Sequence, residues 1–325
     1  MVAIEQSRLT GYARDDWNAI DYGMWKLSDS LPPLRGPEIG PLSPRAYGVV
    51  LGAAQAFGRF CLKPFPALIS ERIGMPVLNL GLAGAGPRMF MRKNFLNVIN
   101  DAAFVIVQVM SGRSLGNSVF DCPNHGGTLV RRYGDNPKPQ FALEAWREWM
   151  KELEAQFERE ERIARIQALC EETRTLWVGE MALLREMIRP PTLLFWFATR
   201  EMDYEEFYSD PELVFGEFPQ LINARCVRAI QPLFDGFVES VTSRGSPQPL
   251  FNRFTGEPHC INPQFLRPYH NAYYPSPEMQ EDAAEALAPV VSKICGAARR
   301  LRGLISAAPG DAPSGATRDS AARGE

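Results

Sequence analysis

The chain has 325 residues, 45% of them hydrophobic and 22% charged, which is enough to bury a large core, and its net charge of −3 gives no bulk attraction to nucleic acid or an anionic membrane. No run reaches the length of a transmembrane helix, and the opening MVAIEQSRLTGYARDDWNAIDYG has no apolar core of signal-peptide length, so a cytoplasmic protein with reduced thiols is expected. The cysteines (Cys61, Cys122, Cys170, Cys226, Cys260, Cys295) form no CxxC pair and no metal-ligand spacing; neither a metal nor a cofactor is expected.

In residues 1–45, Pro32, Pro33, Pro37, Pro41 and Pro44 forbid a long helix, while Trp17, Tyr22, Trp25 and Leu27 are costly to leave in water. They predict an extended arm packed on the domain that follows. From Tyr47 to Pro87 the chain reads as strand, glycine turn, helix, strand and second glycine turn. Gly52 and Gly58 bracket the first turn, Phe65, Leu68, Ile69 and Ile73 mark the helix, and Gly81, Gly84 and Gly86 close the second strand. Five apolar runs, Ala46–Ala53, Pro76–Gly81, Ala103–Met110, Thr192–Ala198 and Gly236–Thr242, alternate with helical segments. They predict an α/β domain over 46–305 with a five-stranded parallel sheet of flavodoxin-like type.

The interval 139–190 interrupts that alternation. Trp146, Trp149, Met150, Leu153 and Phe157 recur at helical spacing, as do Leu176, Met181, Leu184 and Met187. Two or three helices forming a cap or an assembly surface are expected, with ordinary crossover helices as the alternative for the second half. In the assembly reading Trp146, Trp149 and Phe157 are exposed anchors for a partner enzyme or a second copy. A last helix runs over roughly 277–302, with Glu278, Glu281 and Asp282 early and Arg299, Arg300 and Arg302 late, as the helix dipole favours. The tail 306–325 has almost no large apolar residue and is expected to be disordered.

The blocks at the strand ends carry a resemblance. Gly52-Ala53-Ala54, Asn79-Leu80-Gly81 with Gly84, Ser111 to Asn117, and Asn271 to Ser276 before the last helix fall in the order of the SGNH (GDSL-like) hydrolase superfamily. The wording RGP, FGRF, PFP, NLG, AGP, VQVMSGRS and YYPSPEM also resembles an uncharacterised bacterial family carrying a domain of unknown function. The SGNH resemblance implies a three-layer αβα fold with five parallel strands, a nucleophile in the turn after the first strand, and oxyanion donors at the Gly84 and Asn117 positions. It also puts Ala54 at the serine position, flanked by Gln55, and Asn271 and Tyr274 at the acid and histidine positions. Such a triad is degenerate, because alanine has no attacking atom. Ala54 is then expected at the mouth of the cleft, at the start of the helix after the first strand. His270 is the best available base and Tyr274 a second, with a surface role as the alternative for His270. Cys61 lies near this turn, as a reactive thiol or a small buried hydrophobe.

Arginines follow each strand: Arg59, Arg88, Arg113, Arg200 and Arg244. On one rim of a parallel sheet they would suit forked binding of carboxylate, phosphate or sulfate oxygens; singly, each would pair with a surface carboxylate. GAAQAFG lacks the Lys-Ser/Thr of a phosphate-binding loop, and GLAGAGP lacks the context of a dinucleotide fingerprint. The leading expectation is an SGNH-like enzyme that transfers or hydrolyses an acyl or sulfuryl ester-type group on a small anionic substrate, or a modified glycan or lipid, without the usual serine. The alternatives are an inactive SGNH-like module that binds an anionic glycan, nucleotide or lipid headgroup, and an assembly protein.

Overall fold

The computed structural model describes residues 9, 11–122, 129–134 and 138–306. The five apolar runs pair into one parallel sheet: β1 (Gly48–Gly52), β2 (Val77–Gly81), β3 (Phe104–Gln108), β4 (Thr192–Ala198) and β5 (Gly236–Val241), in the order β2-β1-β3-β4-β5. The register runs Val50 against Asn79 on one side and against Ile106 on the other. Every residue of β1 through β4 is buried, which is why these strands read as continuous apolar runs with no alternation.

Helices cover both faces. On one side α1 (Phe65–Ile73) and α6 (Pro277–Ser306) pack Phe65, Ile69, Ala283 and Leu287 against Val50, Ile106 and Phe195. On the other, α2 (Lys93–Asn100), α4 (Arg159–Met187) and α5 (Ala224–Ile230) bring Phe95, Ile99, Trp177, Met181, Leu184 and Val227 onto Leu51, Val105, Val107 and Leu194. The result is a three-layer αβα domain. At the start of α6, the Ser276 hydroxyl accepts the Met279 N–H at 3.1 Å, Pro277 opens the helix and Glu278 faces its dipole. None of the described helices is long and apolar enough to cross a membrane.

The insertion contains α3 (Ala142–Gln156), a break at Phe157 and Glu158, and then α4 with 29 residues. The expected docking anchors are not exposed. Trp146 and Trp149 are buried 5.6 Å apart, Trp146 stacks on Phe120, and Phe215 meets it edge-on. Helical spacing marks an apolar face but not what covers it; here the cover comes from a short strand at Phe120 and the end of a short helix at Phe215. Phe157 is half-buried under the Arg165 guanidinium, 3.8 Å from its ring centre. The arm packs Tyr22 and Ile20 with Phe57 and Phe60 of the segment after β1. The tail expected to be disordered lies, past Ser306, outside the described residues.

Candidate binding site

Strand order reverses direction between β1 and β3, and in open α/β sheets ligands gather beyond the carboxyl ends of the strands at such a point. The turn that leaves β1 there is held by its neighbours. Gln108 at the end of β3 accepts the Ala53 N–H at 3.1 Å, and Asn79 of β2 donates to the Ala56 carbonyl at 2.8 Å. A Cβ on Gly81 would fall 2.3 Å from the Phe57 nitrogen, so this close approach of turn to strand needs glycine. The helical turn Ala54–Phe57 ends at Gly58 in the left-handed region, φ 73°.

Beyond this turn opens a cavity of about 1310 Å³ between the arm, the loops after the strands and the insertion. Its walls are largely apolar, with Met24, Phe57, Leu82, Met89, Phe141 and Phe215 among them. Tyr12, Arg59, Arg113, Gln220, Tyr273 and Tyr274 form one polar group on this wall, and Asp15, Ser30, Arg92, Asn94 and Glu212 line it elsewhere.

Arg59 is fully engaged. Its Nε and Nη2 each donate to Asp16 at 2.9 Å, its Nη1 donates to the Tyr274 hydroxyl at 3.1 Å, and the rings of Tyr12, Phe60 and Tyr274 surround it. Burial works against its charge, but Asp16 and the Tyr274 hydroxyl outweigh burial and hold the guanidinium protonated above its usual range. Tyr274 also donates to the Tyr12 hydroxyl at 3.1 Å. Burial, then the neighbouring Tyr274, push the Tyr12 phenol far above its ordinary value, so Tyr12 is a hydrogen-bonding group and not a base. Arg113 makes one side-chain hydrogen bond, from Nη1 to the Tyr273 hydroxyl at 3.3 Å, and among the described residues has no carboxylate within ion-pair distance. Gln220 donates to the same hydroxyl at 2.8 Å. Both tyrosines are posted by Asn271, whose Oδ1 accepts the backbone N–H of Tyr273 at 3.1 Å and of Tyr274 at 2.8 Å.

The other arginines do not join this site. Arg88 pairs with Glu180 at 2.5 Å and lines a second cavity of about 410 Å³ with Gly86 and Asn117. Arg200 donates to the Pro219 carbonyl at 2.8 Å and lies on the Tyr204 ring. Arg244 forks onto Asp282 and donates to the Glu278 carbonyl at 2.9 Å, clamping the start of α6. Three of the five arginines thus serve local structure, because a carboxylate or carbonyl lies within reach of each.

Ala54 opens the helical turn after β1, as expected, but it is only 5% exposed and is not on the cavity wall. Gln55 is buried, and its carbonyl accepts Gln280 Nε2 of α6 at 3.0 Å. Gly84 is buried with φ 67°, so its glycine serves the turn after β2. The Asn117 side chain donates to Thr173 at 3.0 Å and accepts the Val119 and Phe120 N–H groups, bracing its own loop. Gly84 and Asn117, the oxyanion positions expected from the resemblance, therefore do not converge on the large cavity. His270 is exposed on a short two-stranded ladder opposite Pro249 and is not a wall residue. Cys61 is buried, its thiol pushed up to about 12 by burial and bonded to the Pro275 carbonyl at 3.2 Å, so it is not a nucleophile. No group of three His, Cys, Asp or Glu among the described residues is placed to hold a metal.

Sequence reasoning missed Tyr12, Asp16, Gln220 and Tyr273. Only Tyr273 had a local signal, as the neighbour of Tyr274 in NAYY. The family model described as a domain of unknown function, DUF6473, matches residues 11–124 and 145–295. The chain belongs to that family. No curated protein matches it. Solved structures with some likeness include a lipase, Lip_vut3, from a goat rumen metagenome, with 9% identity over 74% of this chain and 96% of that one and a TM-score of 0.36. An extracellular lipase from Streptomyces rimosus has 13% identity over 77% and 99%, TM-score 0.38. A phospholipase A1 from Streptomyces albidoflavus NA297 has 9% identity over 77% and 99%, TM-score 0.43. Likeness this low says nothing about chemistry.

Proposed function

We propose that this DUF6473 chain binds an anionic ligand with a sizeable apolar part, on an SGNH-like scaffold that lacks the serine nucleophile. One observation carries the reading: Arg113, without a carboxylate partner among the described residues, stands with two tyrosines and Gln220 on the wall of a large, mostly apolar cavity. Such a wall receives an apolar body, and a forked cation receives carboxylate, phosphate or sulfate oxygens. Ala54 at the serine position and the exposed His270 favour binding over ordinary serine-ester hydrolysis.

The second reading is transfer or hydrolysis of an acyl or sulfuryl group, with attack by water or a substrate hydroxyl. The Tyr274 hydroxyl favours it, since it lies on the cavity wall and Arg59 Nη1 donates to it at 3.1 Å, which fixes its position there.

Titration of the full chain with octyl phosphate below its micellar concentration is expected to show binding and a raised Tm. Inorganic phosphate should bind more weakly, and octyl glucoside should not bind detectably. Arg113→Ala should weaken octyl phosphate binding by about 1.5–3 kcal/mol, and Arg113→Lys should recover only part of it. Equal binding by wild type and Arg113→Ala would remove Arg113 from the site. Simple chromogenic acyl esters should not be turned over. Turnover abolished by Ser111→Ala would restore a serine mechanism, although the Ser111 hydroxyl accepts the Arg113 N–H at 3.1 Å.

A further inference from the structure

Between β5 and α6 the chain makes a long excursion over 248–271. Its base is the two-stranded pairing of Gln248–Pro249 with His270–Asn271, and the Leu250 N–H donates to the Tyr269 carbonyl at 2.9 Å. It ends in two tight loops, one closed by Asn252 N–H to the Glu257 carbonyl at 2.8 Å, the other by Phe265 N–H to the Asn262 carbonyl at 3.0 Å. These loops leave Phe251, Phe254, Phe265 and Tyr269 about half in water, and Leu266 is 99% exposed. Single exposed apolar residues are ordinary; a concentration of them on one projection marks an interaction surface.

The same projection carries Arg253 and Arg267, each without a carboxylate partner among the described residues, against the single acid Glu257. Arg253 Nη1 donates to the Asp21 carbonyl at 3.2 Å, which fixes one loop on the arm.

We infer that this excursion docks the protein on an anionic lipid surface, with Leu266 and the phenylalanines entering the headgroup–acyl boundary and the exposed Arg267 meeting lipid phosphates. Two features favour lipid over a protein partner. Phe254, Phe265 and Leu266 lie at the two tight loops, away from the ladder, where a fluid bilayer accommodates them without a matching groove, and the exposed Arg267 carries a positive charge without a carboxylate partner among the described residues. The excess is local, since the whole chain carries −3. In sequence the excursion leads into Tyr273 and Tyr274 on the cavity wall. The inference concerns a different surface from the ligand proposal and stands without it.

The test is co-sedimentation of the full chain with vesicles of equal parts phosphatidylcholine and phosphatidylglycerol, and with phosphatidylcholine alone. Binding to the mixed vesicles, reduced by salt and weaker on phosphatidylcholine, is expected. Phe265→Ser with Leu266→Ser should reduce the partition coefficient at least about tenfold, and Arg267→Gln several-fold. All three side chains are exposed, so circular dichroism and Tm should match wild type. No vesicle binding, or binding indifferent to the double substitution, overturns the inference. A dimer seen by analytical ultracentrifugation and abolished by Leu266→Ser, without vesicle binding, assigns the loop to a second copy instead and also overturns it.

Discussion

The side of the cavity built by the arm and the side built by the loop after β3 each present an arginine, and the two are held differently. On the arm side Arg59 is gripped by both oxygens of buried Asp16, donates its remaining reach to Tyr274 and is enclosed by three aromatic rings. On the other side Arg113 is half-buried and has one long hydrogen bond to Tyr273. The first arrangement fastens residues 12–22 to the turn after β1; the second leaves a cation in the cavity with unused donors. An arginine after a strand is thus no mark of a ligand site by itself. What distinguishes a binder is that nothing on the protein has already neutralised it.

Asp16→Ala gives the largest expected effect. It strands the Arg59 charge in an aromatic enclosure and also removes the acceptor of the Tyr22 hydroxyl at 2.7 Å. Breaking one side of such a buried pair costs about 3–5 kcal/mol, to be measured by urea unfolding. Arg113→Ala in the same assay should cost no more than about 0.5 kcal/mol. Similar losses for the two variants would break the comparison, and a loss under about 1 kcal/mol for Asp16→Ala would place its pair with the screened surface bridges.

Asn271→Ala comes next. Asn271 is 2% exposed, donates to Gln248 Oε1 at 3.1 Å and to the Tyr274 carbonyl at 2.8 Å, and holds both tyrosine N–H groups. Its loss leaves buried backbone groups unpaired, at a cost of about 1–3 kcal/mol. It should also weaken octyl phosphate binding, because Tyr273 and Tyr274 are no longer fixed. Tyr273→Phe separates the two roles: it should keep stability within about 0.5 kcal/mol while lowering affinity by roughly 0.5–1.5 kcal/mol. Unchanged affinity in both variants would detach the tyrosines from the ligand.

The sheet was legible because its strands are buried on both faces. The run Thr192–Ala198 coincides with β4, and the other four runs overshoot their strands by one to three residues, mostly where apolar character continues into a loop. Periodicity indicates two or three helices in the insertion without fixing their number, and the charged run 158–165 starts α4 instead of separating two helical stretches; the burial of Trp146 was not legible, because the same stripe serves a core or a free surface until Phe120 and Phe215 are placed. The site was legible only in part for a related reason. Arg59 and Asp16 are 43 positions apart, Arg244 and Asp282 are 38, and no local pattern pairs them. Charge partners are chosen by tertiary contacts, so sequence showed where cations stood without showing which were spent.

The smallest expected effect sharpens the comparison at the cavity wall that follows Arg174. Glu206 accepts from the Tyr208 hydroxyl, from Asn223 Nδ2 at 2.5 Å and from Arg174 Nη1 at 2.8 Å, while Arg174 Nε donates to the Leu221 carbonyl at 2.8 Å. This network braces the segment that carries Phe215 and Gln220 into the cavity, much as Asp16 and Arg59 brace the arm. Partial burial of Glu206 opposes its charge, but the bonds from Tyr208, Asn223 and Arg174 outweigh it and hold the carboxyl below its usual range. A carboxyl depressed in the folded state adds stability that is fully present above its unfolded value and is lost as pH falls through the lower folded value. Glu206→Gln removes that titration. The Tm of wild type should therefore exceed that of Glu206→Gln near neutral pH, and the gap should narrow as the pH falls below the ordinary glutamate range. Because the carboxylate is partly open to solvent, screening keeps the gap small, below that of Asp16→Ala. A gap that stays constant across the acid range would mean that Glu206 acts through packing alone, and that the two braces are alike in shape but not in charge.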